Sequence, residues 1–158
     1  MKPELFLNPG DPAPGFAATN QSGEQRTLAD FLGKTVILYF YPKALTPGCT
    51  TQACALSEHL DAFTSRNCVV LGLSPDQPEK LARFTEKYHL NFDLLSDPDH
   101  AIADAYGVWG AKKFMGRVYD GIHRTTFIIS DAGKILSTLH PVKTKTHHDD
   151  VLQVLDAL

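Results

Sequence analysis

The chain has 158 residues, 43% hydrophobic and 21% charged, a composition that allows one well-filled core and predicts a single domain over residues 1–158. A formal charge of −3 and an isoelectric point near 6.1 give no reason to expect nucleic acid or an anionic membrane as a partner. Neither a membrane span nor a signal peptide is predicted, and three cysteines are too few for a secreted disulfide scaffold, so we expect a cytoplasmic protein.

The first quarter of the chain predicts an open lead-in, a small hairpin and a buried strand. Residues 1–15 hold four prolines and two glycines, which favour an extended, loop-rich segment. Residues 16–27 surround an Asn-Gln-Ser-Gly turn, and Thr27 can cap a short helix that ends at Gly33. The apolar residues 35–41 then predict a buried strand.

A cysteine-containing segment follows this strand and leads into a helical pattern. Residues 41–54 read Tyr-Pro-Lys-Ala-Leu-Thr-Pro-Gly-Cys-Thr-Thr-Gln-Ala-Cys. Cys49 is therefore expected at a helix N-terminus, where unpaired backbone N–H groups and the helix dipole favour an anion. A thiolate is such an anion and is the reactive form of cysteine. We hypothesise that Cys49 is a redox nucleophile and Cys54 its disulfide partner.

The spacing of residues in this helix bears on that pairing. One face, stepping by four and three, should pack on the sheet: Cys49, Ala53, Leu56, Leu60 and Phe63. Cys54 is turned about 140° away from Cys49, and their Cα atoms would be roughly 8–9 Å apart in an intact helix. A disulfide bridges Cα atoms up to about 7 Å apart. Pairing therefore requires the first helical turns to unwind, a comparatively cheap motion at a helix end.

The alternative is that these are ordinary helix cysteines, since free cysteine is often a small buried hydrophobe. That interpretation suits Cys49 on its packed face. It explains less well the Thr-Pro-Gly lead-in and the second cysteine, Cys54, on a different face.

The middle of the chain alternates between strands and helices. This helix should end near Asn67, and residues 68–73 predict a parallel strand joined to the first by a right-handed crossover. A helix, a short strand at residues 92–95 and a short helix stopped by Gly107 should follow. Cys68 lies well over 20 Å from Cys49 on this scheme and is interpreted as a structural thiol.

The last part predicts a β-hairpin and a closing helix. Residues 124–130 and 134–140 flank an Asp-Ala-Gly turn, and residues 146–149 predict a capping box at the start of a helix. The adjacent His147 and His148 cannot share a helix face and are interpreted as solvated. The order of elements indicates one α/β domain with a mixed sheet.

The segment Tyr-Pro-Lys-x-x-Thr-Pro-Gly-Cys-Thr-x-x-x-Cys resembles the active-site signature of peroxiredoxins, in particular the Q-type subfamily, also called bacterioferritin comigratory protein. The resemblance covers nearly the whole chain, with further matching stretches at residues 78–84, 94–97, 106–110, 114–116, 119–124 and 147–148. It implies a thiol peroxidase with a thioredoxin-like fold, in which helices flank a mixed central β-sheet. One departure is Ala44-Leu45, where many members carry polar residues; it alters the loop surface and removes no catalytic group.

The resemblance implies roles for five residues. Cys49 would be the peroxidatic cysteine, and Cys54 matches the resolving cysteine that some members carry. Thr46 would hydrogen-bond the thiolate and the peroxide through its hydroxyl. Pro42 would shield the thiolate from water, and Arg124 would sit beside the sulfur.

The reaction implied by the resemblance reduces hydrogen peroxide and organic hydroperoxides to water or alcohols. Cys49 becomes a sulfenic acid, and Cys54 condenses with it to a disulfide. A dithiol reductant of the thioredoxin type restores both thiols by exchange. No metal or organic cofactor is expected, and a monomer is the family-based expectation.

Residues 107–123 form a loop or hairpin rich in glycine and aromatic residues, and two interpretations stay open. Trp109, Phe114 and Met115 would form an apolar rim for hydroperoxides or for a protein reductant. Alternatively, the loop packs on the sheet edge through its own aromatic side chains.

Two other functions compete with the peroxidase. Disulfide reductases of the same fold more often carry Cys-x-x-Cys at the helix start, whereas the spacing here is Cys-x₄-Cys. A metal-binding module would use Cys49, Cys54 and His59, but three ligands spread around one helix do not converge as structural zinc ligands do.

Overall fold

A mixed β-sheet forms the centre of the computed structural model, which describes residues 5–158. The strands are β1 (Ala17–Asn20), β2 (Gln25–Thr27), β3 (Thr35–Phe40), β4 (Cys68–Ser74), β5 (Asp93–Ser96), β6 (Trp109–Phe114), β7 (Arg117–Ile122), β8 (Thr125–Ile129) and β9 (Ile135–Leu139). The helices are α1 (Pro47–Glu58), α2 (Leu60–Thr64), α3 (Pro78–Tyr88), α4 (Ala101–Ala105) and α5 (His147–Ala157), with a 3₁₀ helix at Leu28–Phe31.

The main sheet has the strand order β2-β1-β5-β4-β3-β8-β9, and β6 pairs only with β7 within the described residues. Strands β3, β4 and β5 run parallel, while β8 pairs antiparallel with β3 on its other side. The predicted parallel pairing of β3 with β4 and the predicted mixed sheet flanked by helices are both confirmed. The predicted hairpins at residues 16–27 and 124–140 are also confirmed, as β1–β2 and β8–β9.

Strand β3 lies in the interior of the sheet, between β4 and β8, and is buried on both sides because helices cover both faces of the sheet. Alternate residues of a strand point to opposite faces. Ile37 and Tyr39 belong to the cluster that packs against α1, α3 and α5, and Val36 and Leu38 to the cluster that includes Tyr106 and the 3₁₀ helix. The continuous apolar run that predicted a strand is thus explained by two-sided burial.

The helix after β3 is shorter than predicted. A continuous helix to near Asn67 was expected, but α1 ends at Glu58 and α2 begins at Leu60, because His59 adopts φ −105° and ψ 18°. The predicted packed face is confirmed. Its members Cys49, Ala53, Leu56 and Phe63 are fully buried, and Leu60 packs against the same cluster.

Two expectations about the start of α5 were wrong. The Thr146 hydroxyl donates to Asp150 Oδ2 at 2.8 Å, one turn later, so the predicted capping box over residues 146–149 is not formed. His147 is 1% exposed rather than solvated, because the start of α5 packs on α1 and the sheet.

None of the helices in residues 5–158 is long and apolar enough to cross a membrane.

Candidate active site

Cys49 lies in the first turn of α1, directly beyond the carboxyl end of β3. Thr46 is the N-cap residue and Pro47 opens the helix, a position that suits proline because the first N–H groups have no intrahelical partner. The first helical hydrogen bond joins the Thr50 N–H to the Thr46 carbonyl at 2.9 Å. The Cys49 N–H therefore lies before the first backbone hydrogen bond of the helix, and the sulfur sits at the positive end of the helix, as predicted.

Arg124 brings a positive charge to this sulfur. Its Nη2 donates to Cys49 Sγ at 3.2 Å across 75 positions of sequence. The contact follows from the sheet, because β8 begins at Thr125 and pairs antiparallel with β3 in a register that places Thr125 opposite Phe40. The start of β8 thus meets the turn that leads into α1. A guanidinium at this distance stabilises a thiolate over a thiol.

Gly48 leaves room for the guanidinium. A Cβ at this position would lie 3.2 Å from Arg124 Nη2, closer than ordinary van der Waals contact. A side chain at this position would require the guanidinium to shift by a few tenths of an ångström, so glycine favours the close approach of Arg124 to the backbone just before Cys49.

The turn between β3 and α1 is anchored from the neighbouring strand. The Ala44 N–H donates to Asp76 Oδ2 at 2.7 Å, and the Ser74 hydroxyl donates to the same oxygen at 2.8 Å. Leu45 has φ +68°, the left-handed region that branched side chains seldom adopt. Sequence reasoning did not identify Asp76, since nothing in its local pattern links it to a turn 32 residues away.

Thr46 and Pro42 flank the same turn. The Thr46 hydroxyl donates to the Lys43 carbonyl at 2.7 Å rather than to the sulfur, so its oxygen can accept a hydrogen bond from a ligand but its proton is already used. Pro42 is half-buried and lines a cavity of about 310 Å³ with Lys43, Trp109, Lys112 and Tyr119 among its other lining residues. This cavity joins the turn to the β6–β7 hairpin.

Cys54 and Cys68 are free thiols in this structure. Cys54 is half-buried within the unbroken α1, and burial, aided by the negative charge of Glu58, raises the pKa of its thiol. Cys68 is buried at the first residue of β4, where burial likewise raises its thiol pKa. Both are therefore held as thiols rather than thiolates at neutral pH.

Behind Arg124 lies a buried polar chain that sequence reasoning missed. Arg124 Nη1 donates to Gln52 Oε1 at 3.0 Å, Gln52 Nε2 lies 3.2 Å from His147 Nδ1, and His147 Nε2 lies 2.7 Å from Thr126 Oγ1. A usable signal existed for Gln52, because it is a polar residue three positions after Cys49, next to the packed face of α1. His147 was predicted to be solvated, but the structure buries it.

The β6–β7 hairpin settles part of the question about residues 107–123. Trp109 stacks on the His100 ring at the start of α4, with ring centroids 4.0 Å apart, and also lines the cavity beside Pro42, so its position agrees in part with each interpretation. Phe114 and Met115 at the hairpin tip are 65% and 87% exposed. The interpretation that this segment is packed by its own aromatic side chains is therefore wrong for the tip.

The metal-binding alternative finds no support within residues 5–158. No group of three or more histidine, cysteine or acidic side chains in that range is arranged to hold a metal ion.

A cysteine in the first turn of the helix that follows β3, beside an arginine that immediately precedes β8, is typical of thioredoxin-fold thiol enzymes. Comparison with known proteins agrees: the AhpC/TSA family profile matches residues 9–138. The chain belongs to this family of thiol peroxidases and, within it, to the peroxiredoxins of the bacterioferritin comigratory protein, or Q, type.

Relatives and solved structures match over almost the full chain. Peroxiredoxin Bcp of Escherichia coli K12 is 54% identical over 149 residues, 94% of this chain and 96% of the relative. The bacterioferritin comigratory protein of Xanthomonas campestris, studied for alkyl peroxide reduction, has a TM-score of 0.87 at 33% identity and 98% coverage of both chains. A cysteine-to-serine mutant of PrxQ from Xylella fastidiosa reaches a TM-score of 0.91 at 30% identity, again with 98% coverage of both chains.

Proposed function

We propose that this peroxiredoxin reduces hydrogen peroxide and organic hydroperoxides through a Cys49 sulfenic acid and a Cys49–Cys54 disulfide that thioredoxin recycles. The observation that carries the proposal is the 3.2 Å hydrogen bond from Arg124 Nη2 to Cys49 Sγ at the start of α1. Through this bond the positive charge of Arg124 lies beside Cys49, which also sits at a helix N-terminus.

In the first step the Cys49 thiolate attacks the terminal peroxide oxygen. A sulfur–oxygen bond forms as the oxygen–oxygen bond breaks, and the leaving oxygen takes a proton from solvent and departs as water or an alcohol. Arg124 can donate to the oxygens on which charge develops, and the Thr46 hydroxyl can accept from the peroxide O–H. Pro42 keeps bulk water from the sulfur. The product is the Cys49 sulfenic acid.

In the second step the Cys54 thiol condenses with this sulfenic acid and releases water. Both residues belong to α1, so their Cα atoms are roughly 8–9 Å apart while the helix is intact, and its first turns must open. Opening separates Cys49 from Arg124 and exposes the disulfide. A dithiol protein of the thioredoxin type then returns both cysteines to thiols by exchange.

The setting proposed for this cycle is a single-domain, monomeric enzyme of the cytoplasm, without a metal or organic cofactor. A reducing compartment is required, because the resting enzyme needs free thiols. Charge gives no reason to add nucleic acid or membrane as partners.

The test uses Cys54→Ser, with Cys68→Ser as the matched control. Cys54→Ser should consume one equivalent of peroxide, because Cys49 still reacts, and should then stop turning over with thioredoxin. Cys68→Ser should turn over like the wild type, since Cys68 is buried at the start of β4. The measurement is thioredoxin-coupled peroxide consumption together with single-turnover consumption.

Sustained thioredoxin-driven turnover by Cys54→Ser would remove Cys54 as the essential resolver. Absence of peroxide consumption by the wild type, with reduction of a disulfide substrate instead, would favour the disulfide reductase alternative.

A further inference from the structure

Three polar side chains connect the start of α5 to the active site. Gln52, Thr126 and His147 are each at most 1% exposed, and they lie in series behind Arg124. The series runs from the guanidinium to Gln52 at 3.0 Å, from Gln52 to His147 at 3.2 Å, and from His147 to Thr126 at 2.7 Å. Each hydrogen bond made in such a dry interior is costly to lose.

The chemistry of the donors fixes the direction of every bond in this series. Arg124 can only donate, so Gln52 must present its Oε1 to the guanidinium. The Gln52 amide nitrogen therefore faces His147, and because that nitrogen can only donate, His147 Nδ1 must accept. The imidazole proton is then on Nε2, which donates to Thr126 Oγ1.

The neutral imidazole gives Gln52 a unique orientation. A rotation of the Gln52 amide by half a turn would set its NH₂ group against the guanidinium, donor against donor. It would also set Oε1 against His147 Nδ1, acceptor against acceptor. With a buried acceptor at Nδ1, that orientation loses two hydrogen bonds, so the oxygen stays directed at Arg124.

Burial keeps His147 in the form that this series needs. Desolvation, assisted by the positive charge of Arg124 and by His148, lowers the pKa of His147 to about 4, although Asp150 acts in the opposite direction. The imidazole is therefore neutral at physiological pH. An imidazolium would place an N–H of His147 against the Gln52 amide nitrogen.

We propose that His147 is a positioning residue for the peroxidase reaction, holding Gln52 so that Arg124 is directed at Cys49. The proposal rests on the function proposed above, since it concerns the same Arg124–Cys49 contact. It places a functional role on the C-terminal helix, whose first residue sits 98 positions after Cys49 in the sequence. His147 itself does not touch the reacting atoms.

The variants that test it are His147→Leu and His147→Asn. Leucine removes the acceptor that faces Gln52, whereas asparagine can return an oxygen near the position of Nδ1. We expect the rate constant for Cys49 oxidation by hydrogen peroxide, measured in single turnover, to fall about tenfold in His147→Leu and about threefold or less in His147→Asn. His89→Asn, at the exposed end of α3 and outside the series, serves as the control and should keep the wild-type rate.

A double-mutant cycle with Arg124→Met separates positioning from a general structural role. If His147 acts through the guanidinium, His147→Leu should cause no further loss of rate once Arg124 is replaced. A loss that adds in full to that of Arg124→Met, or a His147→Leu enzyme with the wild-type rate, would overturn the proposal.

A second measurement needs no variant and covers the case in which His147→Leu does not fold. Nitrogen-15 NMR of the wild-type protein at neutral pH should show His147 as the neutral Nε2–H tautomer. An Nδ1–H tautomer or an imidazolium would overturn the proposal. This spectrum does not depend on peroxide chemistry, so the wrong tautomer would show that the proposed hydrogen-bond series fails. Failure of the proposed function would be shown separately, by a wild-type enzyme that does not react with peroxide.

Discussion

The balance at Cys49 is between burial, which disfavours a charged sulfur, and two features that favour it. The side chain is 1% exposed, so solvent does little to stabilise its thiolate. The helix N-terminus contributes a partial positive charge, and Arg124 contributes a full one at 3.2 Å. A hydrogen bond between charged groups is roughly twice as strong as a neutral one, so the guanidinium should be the larger of the two effects.

Arg124→Met should therefore slow Cys49 oxidation severely while leaving the sulfur in place. We expect a loss of about 10²-fold in the rate constant for peroxide, the size typical of removing one donor from a developing charge. Arg83→Met, on the exposed side of α3, is the matched control and should behave as wild type. The rates are read by quenched alkylation of the remaining thiol. An Arg124→Met rate equal to that of the wild type would contradict the assignment.

In the proposed cycle, α1 has to be folded for Cys49 to attack peroxide and has to open for the Cys49–Cys54 disulfide to form. The break at His59 bears on this, because it separates α1 from α2. Phe63 of α2 is fully buried and can stay in the core while the first turns of α1 open. The opening segment is thus short, and its stability should set the rate of disulfide formation after the sulfenic acid has formed.

Substitutions at Thr51 should change that rate without changing peroxide attack. Thr51 is exposed in α1, and its hydroxyl donates to the Pro47 carbonyl at 3.0 Å. Because glycine is about 1 kcal/mol less favourable than alanine in a helix, Thr51→Gly should form the disulfide about fivefold faster than Thr51→Ala. Rapid quenching and mass spectrometry would follow both steps.

The matched pair Thr64→Gly and Thr64→Ala provides the control. Thr64 makes the same kind of bond, to the Leu60 carbonyl, but lies in α2 outside the opening segment. Equal disulfide rates in the two Thr51 variants, or an equal effect at Thr64, would show that opening of α1 does not limit this step.

At the scale of the whole molecule, the site is assembled by the sheet from distant parts of the chain. The β3–β8 pairing delivers Arg124, and the packing of α5 on α1 delivers His147. A buried neutral histidine also links folding to pH. The pKa of His147 is about 4 in the folded protein against an ordinary value of 6.5, so between these values the unfolded chain binds a proton that the folded chain does not.

Stability should consequently decrease as pH falls through this window and level off below the folded value. The loss of folding stability caused by His147 should reach about 3 kcal/mol below the folded pKa. Above the unfolded pKa this loss should be absent. Urea unfolding across the window should show a smaller pH dependence for His147→Asn than for wild type. His89→Asn, a change at an exposed helix end, should keep the wild-type dependence. Identical slopes for wild type and His147→Asn would contradict the buried neutral assignment.

The sequence predicted features that depend on local pattern or on a specific motif. The strand at residues 35–40, the packed face of α1 and the position of Cys49 at a helix start all follow from periodicity and chain order. Arg124 beside Cys49 came from family resemblance, because its local pattern indicates only a charge at the start of a strand. No local rule predicts that β8 pairs with β3 in the required register.

The features that sequence reasoning missed depend on tertiary contact. Two adjacent histidines at a helix start resemble a solvated pair, and only the packing of α5 on α1 buries His147. The hydroxyl of Thr46 bonds a nearby carbonyl rather than the sulfur because the tight turn brings Lys43 within 2.7 Å. The break at His59 is likewise invisible in a pattern whose apolar spacing continues through it.

The Cys49–Cys54 cycle can be tested by treating the protein with one equivalent of hydrogen peroxide, without reductant, and analysing it intact and digested by mass spectrometry. We expect a loss of two hydrogens that maps to a Cys49–Cys54 disulfide, with Cys68 unchanged. Oxygen adducts on Cys49 alone would contradict the two-cysteine cycle, and three unchanged thiols would contradict the assignment of Cys49 as the peroxide-reactive residue.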